Sequence, residues 1–187
     1  MNLRDNSPIL ICVDLQKKFT DEKYWGGGKY NKDADATCSL ILKEWRNIGL
    51  DIIHVRQNLE YSKSKLNKND KDFMFNPMNT PLVWETVITR SSNCVFDGTN
   101  LKKLIASKGC NTLVIIGLTI DHCVSTVARR ASSHGYKSYI VSDASAFDKI
   151  GVDGAHFSAD LIYNTEQESS NIDFVSVLDS EHLLKIL

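Results

Sequence analysis

Short apolar runs alternate along this chain with amphipathic stretches. Ile9-Leu-Ile-Cys-Val-Asp14 and Thr112-Leu-Val-Ile-Ile-Gly117 are continuous, β-rich and apolar, the pattern of strands covered on both faces. Asp51 to Arg56, Thr86 to Thr89, Lys137 to Ser142 and Phe174 to Leu178 repeat it more weakly. Between these runs the period becomes helical. Asp33 to Ile48 places Ala34, Leu40, Ile41, Trp45 and Ile48 at helical spacing, with Gly49 as the stop. Thr99 or Asn100 is placed to cap a helix carrying Leu101, Leu104 and Ile105 and ending at Gly109. Val124, Val127, Ala128 and Ala131 follow Cys123 at helical spacing up to Gly135, and a further helix is expected over Gly154 to Glu168.

Strands alternating with helices imply right-handed crossovers. The expected fold class is α/β, a single Rossmann-like, doubly wound domain over residues 1–187. It has a mostly parallel central sheet of about six strands and helices on both faces. Leu59 to Thr80, rich in Ser, Lys, Asn and Asp and with Pro77 and Pro81 to discourage regular structure, reads as a long loop that covers a site or meets another subunit.

Composition narrows the function classes. The 187 residues suit one domain with a sizeable core. A formal net charge of −1 gives no electrostatic reason to expect nucleic acid or an anionic membrane as partner. No apolar run reaches the roughly 20 residues of a membrane span, and the polar start from Met1 to Pro8 does not resemble a secretory signal. A soluble, cytoplasmic protein is expected. Cys12, Cys38, Cys94, Cys110 and Cys123 are odd in number and irregularly spaced, which argues for reduced thiols rather than a disulfide framework or a zinc site.

Ligands of open α/β sheets bind at the carboxyl ends of the strands. Asp14 ends the first strand, Arg90 follows the Thr86 to Thr89 strand, and Cys123 opens the helix after Thr112 to Gly117, so three functional side chains converge on one sheet edge. A cysteine in a first helical turn, with a cation nearby, is biased towards thiolate, and a carboxylate can take its proton. The loop from Gly117 to Cys123 can aim backbone N–H groups at a developing oxyanion. Spacing alone leaves Cys123 open between a thiol nucleophile and a buried core residue.

The runs themselves resemble a known family. Ile9-Leu-Ile-Cys-Val-Asp-Leu-Gln-Lys-Lys-Phe19 is similar to the opening strand of the isochorismatase-like cysteine hydrolases, in which an aspartate is the general base. Gly117-Leu-Thr-Ile-Asp-His-Cys-Val-Ser-Thr-Val-Ala-Arg-Arg-Ala131 resembles their nucleophile segment, continued by Gly135-Tyr136 and Asp143-Ala144. Thr89 to Leu101 resembles the central motif, and Trp45-Arg46, His54-Val-Arg56 and the tail from Phe174 to Leu184 agree. The resemblance spans nearly the whole chain. It implies a catalytic triad of Asp14, Arg90 and Cys123, a non-proline cis peptide at Leu118–Thr119, and an oxyanion hole from the N–H groups of Thr119 and Cys123. Gln16, Phe19, Trp25 and Phe96 are the candidates for substrate contact. Association into a dimer or larger homo-oligomer is also implied.

Two departures bear on activity. Arg90 stands where the family has lysine; it keeps the charge but is larger, fork-shaped and effectively never deprotonated. Cys94-Val95 replaces the commoner Ser-Ala. Some relatives hold a metal through an Asp-x-His pair after the second strand, whereas this chain reads His54-Val-Arg56-Gln57-Asn58; His54 is read as a hydrogen-bonded structural residue, with no metal and no cofactor expected. Gly26-Gly27-Gly28 lacks a P-loop lysine and serine and reads as a flexible turn near the mouth. His122 is a candidate for tuning the thiol or for a capping role, and Asp121 for a helix-start charge. The presence of Cys123 favours hydrolysis of a small amide or related acyl C–N substrate through an acyl-enzyme. The alternatives are isochorismatase-type vinyl ether hydrolysis, which needs no thiol, and a catalytically impaired binding protein.

Overall fold

The computed structural model describes residues 2–61, 64–171 and 175–187. Its centre is β1 (Ile9–Val13), an all-apolar strand in which every residue is buried. It is flanked by β3 (Ile52–Gln57) and β5 (Thr112–Gly117), with β4 (Thr86–Arg90) beyond β3 and then β6 (Lys137–Val141) and β10 (Val175–Leu178) beyond β5. The order β10-β6-β5-β1-β3-β4 is parallel throughout. Phe174, expected to open the last strand, lies outside the described residues. Two pairings of two-residue strands go unannounced by any apolar run: β2 (Lys29–Tyr30) with β7 (Ala146–Phe147), and β8 (Lys149–Ile150) with β9 (His156–Phe157).

Alternation along β1 sorts the core into two layers, as a strand buried on both faces must. Ile9, Ile11 and Val13 face α3 (Leu101–Ser107), α4 (Ser125–Ser133) and α5 (Ala159–Ser170), meeting Leu101, Ile105, Val127 and Tyr163. Leu10 and Cys12 face the other way, towards Ile41, Leu42 and Trp45 of α2 (Ala34–Ile48) and Leu183 of α6 (Ser180–Ile186). α2 stops at Gly49, whose φ of 72° suits a residue without a Cβ. A short α1 (Glu22–Trp25) follows β1 and is capped by the Asp21 carboxylate.

Two expectations need correction. The last long helix begins at Ala159 rather than Gly154, because Ser158 caps it and residues before that fold into the β8–β9 hairpin, with Gly154 at φ 84°. The stretch from Leu59 to Thr80 is not plain loop: it holds 3-10 turns at Lys71–Phe73 and Pro77–Asn79. Among the described residues no helix is long and apolar enough to cross a membrane.

The chain runs outward from β1 to β3 and β4, then returns to the other side of β1 as β5. That reversal is the topological switch point, and it opens a crevice at the carboxyl ends of β1 and β5.

Candidate active site

Asp14, the residue after β1, has φ 54°, a left-handed conformation that aspartate tolerates better than most residues. The turn is tight, since the Gln16 N–H donates to the Asp14 carbonyl at 2.7 Å. Opposite it, β5 ends at Gly117, φ 143°, where a Cβ would lie 2.0 Å from the Val13 carbonyl oxygen. Only glycine lets the two strand ends approach so closely. The Leu118–Thr119 peptide bond is cis. The chain then makes a π-helical turn, Ile120–Val124, in which the Val124 N–H donates to Thr119 O at 3.2 Å, before α4 begins. Such one-turn bulges recur at functional sites, and this one sets Cys123 beside the end of β1.

Arg90, the last residue of β4, joins the two. Its Nη2 donates to Asp14 Oδ2 at 2.5 Å and to Cys123 Sγ at 2.8 Å, while Nη1 donates to the Ser92 carbonyl. Both side chains of the Asp14–Arg90 pair are fully buried. Burial first, and then the Asp14 carboxylate, push the Cys123 thiol well above its ordinary range, against the opposing pull of Arg90. The expected bias towards thiolate at rest is therefore corrected. Desolvation outweighs the pull of Arg90 and Lys18 and favours the thiol form over the thiolate.

Cys123 opens onto a cavity of about 320 Å³. Phe19, Trp25 and Phe147 form one wall, their rings nearly parallel at 15–24° with centroids 5.0–6.4 Å apart. Leu59 and Leu66 come from the long loop, and Gln57, Asn93 and Thr119 provide polar positions. At the rim Lys149 pairs with Asp121. His122 lies with Nδ1 3.7 Å from Cys123 Sγ.

Two residues singled out for substrate contact lie elsewhere. Gln16 is buried and occupied by backbone: its Nε2 donates to Phe73 O at 2.7 Å and Gln57 O at 3.3 Å, and its Oε1 accepts from Gln57 N–H at 2.9 Å. It holds the loop to β3 and does not line the cavity. Phe96 packs on the α3–α4 side against His134 and Tyr136. The glycine run is also corrected. Cβ atoms at Gly26 and Gly28 would meet Asp148 at 2.0 and 2.6 Å, so these glycines permit close packing rather than a free turn. His54 Nε2 donates to Glu85 Oε2, 2.9 Å away, within a cluster that Arg46 completes.

Sequence reasoning passed over two residues. Phe147 completes the aromatic wall from a two-residue strand that has no hydrophobic period. Lys18 is fully buried with its Nζ 4.5 Å above the Phe19 ring. A lysine between Lys17 and Phe19 carries no sequence signal for burial; only the fold reveals it.

A profile of the isochorismatase domain matches residues 8–155. The chain belongs to the isochorismatase family. The isochorismatase family protein YrdC of Bacillus subtilis is 32% identical to it over 181 residues, 96% of each chain. Among solved structures, an isochorismatase-family protein from Chromobacterium violaceum has a TM-score of 0.93 at 27% identity, covering 100% of this chain and 96% of that one. A cysteine hydrolase from Pseudomonas syringae shares the fold at 18% identity, with TM-score 0.84 and coverage of 100% and 94%. This isochorismatase-family chain thus carries the family's hydrolase fold, and Asp14, Arg90, Thr119 and Cys123 all lie within the matched span.

Proposed function

We propose that the protein is a cysteine hydrolase that cleaves the C–N bond of a small amide or related acyl compound, with Asp14, Arg90 and Cys123 as its catalytic residues. The observation that carries this reading is the bridge from one guanidinium nitrogen to both the Asp14 carboxylate and the Cys123 sulfur, beside an accessible cavity. Asp14 takes the thiol proton as Cys123 attacks the substrate carbonyl. Arg90 holds the charge as it passes from carboxylate to sulfur. The N–H groups of Thr119 and Cys123 receive the oxyanion. Collapse of the intermediate expels the amine with the proton from Asp14 and leaves a thioester; Asp14 then activates the water that releases the acid. The aromatic wall and the leucines favour an apolar, flat acyl group.

Incubation with iodoacetamide followed by peptide mass mapping tests the nucleophile, and a panel of small aryl and alkyl amides tests turnover. Alkylation at Cys123 and amide turnover abolished in Cys123→Ala are expected. Turnover of a vinyl ether that survives Cys123→Ala would replace this reading with the thiol-independent one.

A further inference from the structure

The site holds more charge than the triad. Lys18 is fully buried, and its ammonium has no hydrogen-bond partner among the described residues. Asp14 Oδ1 and Arg90 Nε are likewise buried without partners. Leaving an ammonium unpaired in the interior is costly unless charges nearby compensate it. The Lys18 Nζ stands 4.5 Å over the ring of Phe19, which lines the same cavity as Cys123, and the titratable groups that bear on it are Asp14 from the end of β1, Arg90 from β4 and Cys123 from the π-helical turn. The 3-10 turn Lys71–Phe73 packs against the 3-10 turn that carries Lys18, and brings Lys71 and Asp72. Asp72 is engaged by Lys65 at 3.3 Å.

We propose that Lys18 is a positioning residue of the cysteine site, a second buried cation that shares with Arg90 the negative charge passing between Asp14 and Cys123. This rests on the cysteine-hydrolase reading and adds a residue to it. With two buried cations and one carboxylate in the site there is positive charge left for a second anion, and the thiolate is that anion. Arg90 cannot lose its proton, so it is a fixed charge. Lys18 is the removable one. Burial first, against the pull of Asp14 and Cys123, brings its ammonium down to about 8. When Lys18 is neutral, Arg90 alone holds the thiolate.

The test is the rate of Cys123 alkylation by iodoacetamide from about pH 6 to 9.5, in wild type, Lys18→Met and Lys18→Arg. In the wild type the rate should climb with pH and bend near pH 8, where the Lys18 ammonium loses its proton and leaves Arg90 alone to favour the thiolate. Lys18→Met should react about tenfold more slowly at pH 7, the equivalent of one pKa unit lost from the thiol. Lys18→Arg should keep the wild-type rate at pH 7 within about threefold and continue climbing past pH 8, because its charge does not titrate there. His122, beside the sulfur, is common to all three proteins and cancels in the comparison. A merely structural lysine would move neither the pH 7 rate nor the bend. If wild-type Cys123 reacts while Lys18→Met matches it, or if the bend persists in Lys18→Arg, the Lys18 proposal is overturned and the nucleophile stands. An inert Cys123 in the wild type overturns both. Should Lys18→Met fail to fold, the bend in Lys18→Arg still decides.

Discussion

Replacing Arg90 with methionine tests whether the Asp14–Arg90 pair is held in the interior as the structure shows. Both side chains are fully buried, and Asp14 already has one oxygen without a partner. Methionine fills much of the volume but leaves the whole carboxylate without its cation. Removing one partner of a buried pair costs about 3–5 kcal/mol, because the other charge remains uncompensated. Lys18 acts on the same carboxylate, which places the expected loss at the lower end, near 3 kcal/mol. With a urea slope of about 2–3 kcal/mol/M, the unfolding midpoint at pH 7 should fall by about 1–1.5 M. Asp14→Asn combined with Arg90→Met removes both charges, and a buried pair exchanged for neutral groups is often close to neutral. The double variant should therefore recover to within about 1–2 kcal/mol of wild type, so that the two single costs do not add. A midpoint for Arg90→Met within about 0.3 M of wild type, or strict additivity in the double variant, would refute the reasoning.

Other consequences follow from the same packing. Gly117→Ala drives a Cβ to within 2.0 Å of the Val13 carbonyl and should cost about 4 kcal/mol or more, whereas Gly109→Ala, at φ 63° with open space around it, should cost only about 1–2 kcal/mol; thermal unfolding of the two separates close approach from backbone strain. Trp45→Ala empties a fully buried site on α2 and should lower stability by about 3–5 kcal/mol in urea titration. Glu85 is held at about 2, from an ordinary 4.5, because Arg46, the Leu82 N–H and His54 together outweigh a burial effect that acts the other way. A depressed carboxyl contributes stability above its unfolded value and loses it as pH falls from about 4.5 towards 2. The urea midpoint of Glu85→Gln should therefore fall less than that of wild type between about pH 5 and 3, and parallel curves would count against the Arg46–Glu85–His54 cluster.

How much of this was legible in the chain depended on whether burial left a period. β5 is entirely apolar from Leu113 to Ile116 and was found with its bounds, as was the α2 stop at Gly49. The convergence of Asp14, Arg90 and Cys123 followed from strand ends alone, because a parallel sheet puts every such end on one edge. Side-chain direction was harder. Phe19 and Phe96 look alike as aromatics near strand ends, yet one faces the crevice and the other packs under α4. Gln16 reads as a polar residue free to meet substrate until its three backbone bonds to Phe73 and Gln57 are seen. Lys18 was hidden by its chemistry, since a lysine is expected in water. The state of the thiol was misjudged because helix-start and cation effects can be read from order, while desolvation requires the packed interior.

The sheet order explains why a long cation stands at position 90. β4 is separated from β1 by β3, so residue 90 and the end of β1 stand about 10 Å apart, two strand spacings, a gap that the side chain at 90 and that of Asp14 close together. Cys123 approaches from the opposite flank, after β5. The carboxylate thus lies between a cation delivered across β3 and a thiol delivered from β5, at the one place where the winding of the chain reverses. Lysine and arginine both have that reach, but they arrive differently. Arg90 uses Nη2 on Asp14 and Cys123 together and still has Nη1 for the Ser92 carbonyl, contacts that a single ammonium could make only by dividing its three protons among them. The fork thereby ties the loop after β4 to the charge pair, and it leaves a non-titrating cation in the centre of the site. Among the buried cations of the site, Lys18 is the one that can lose its charge.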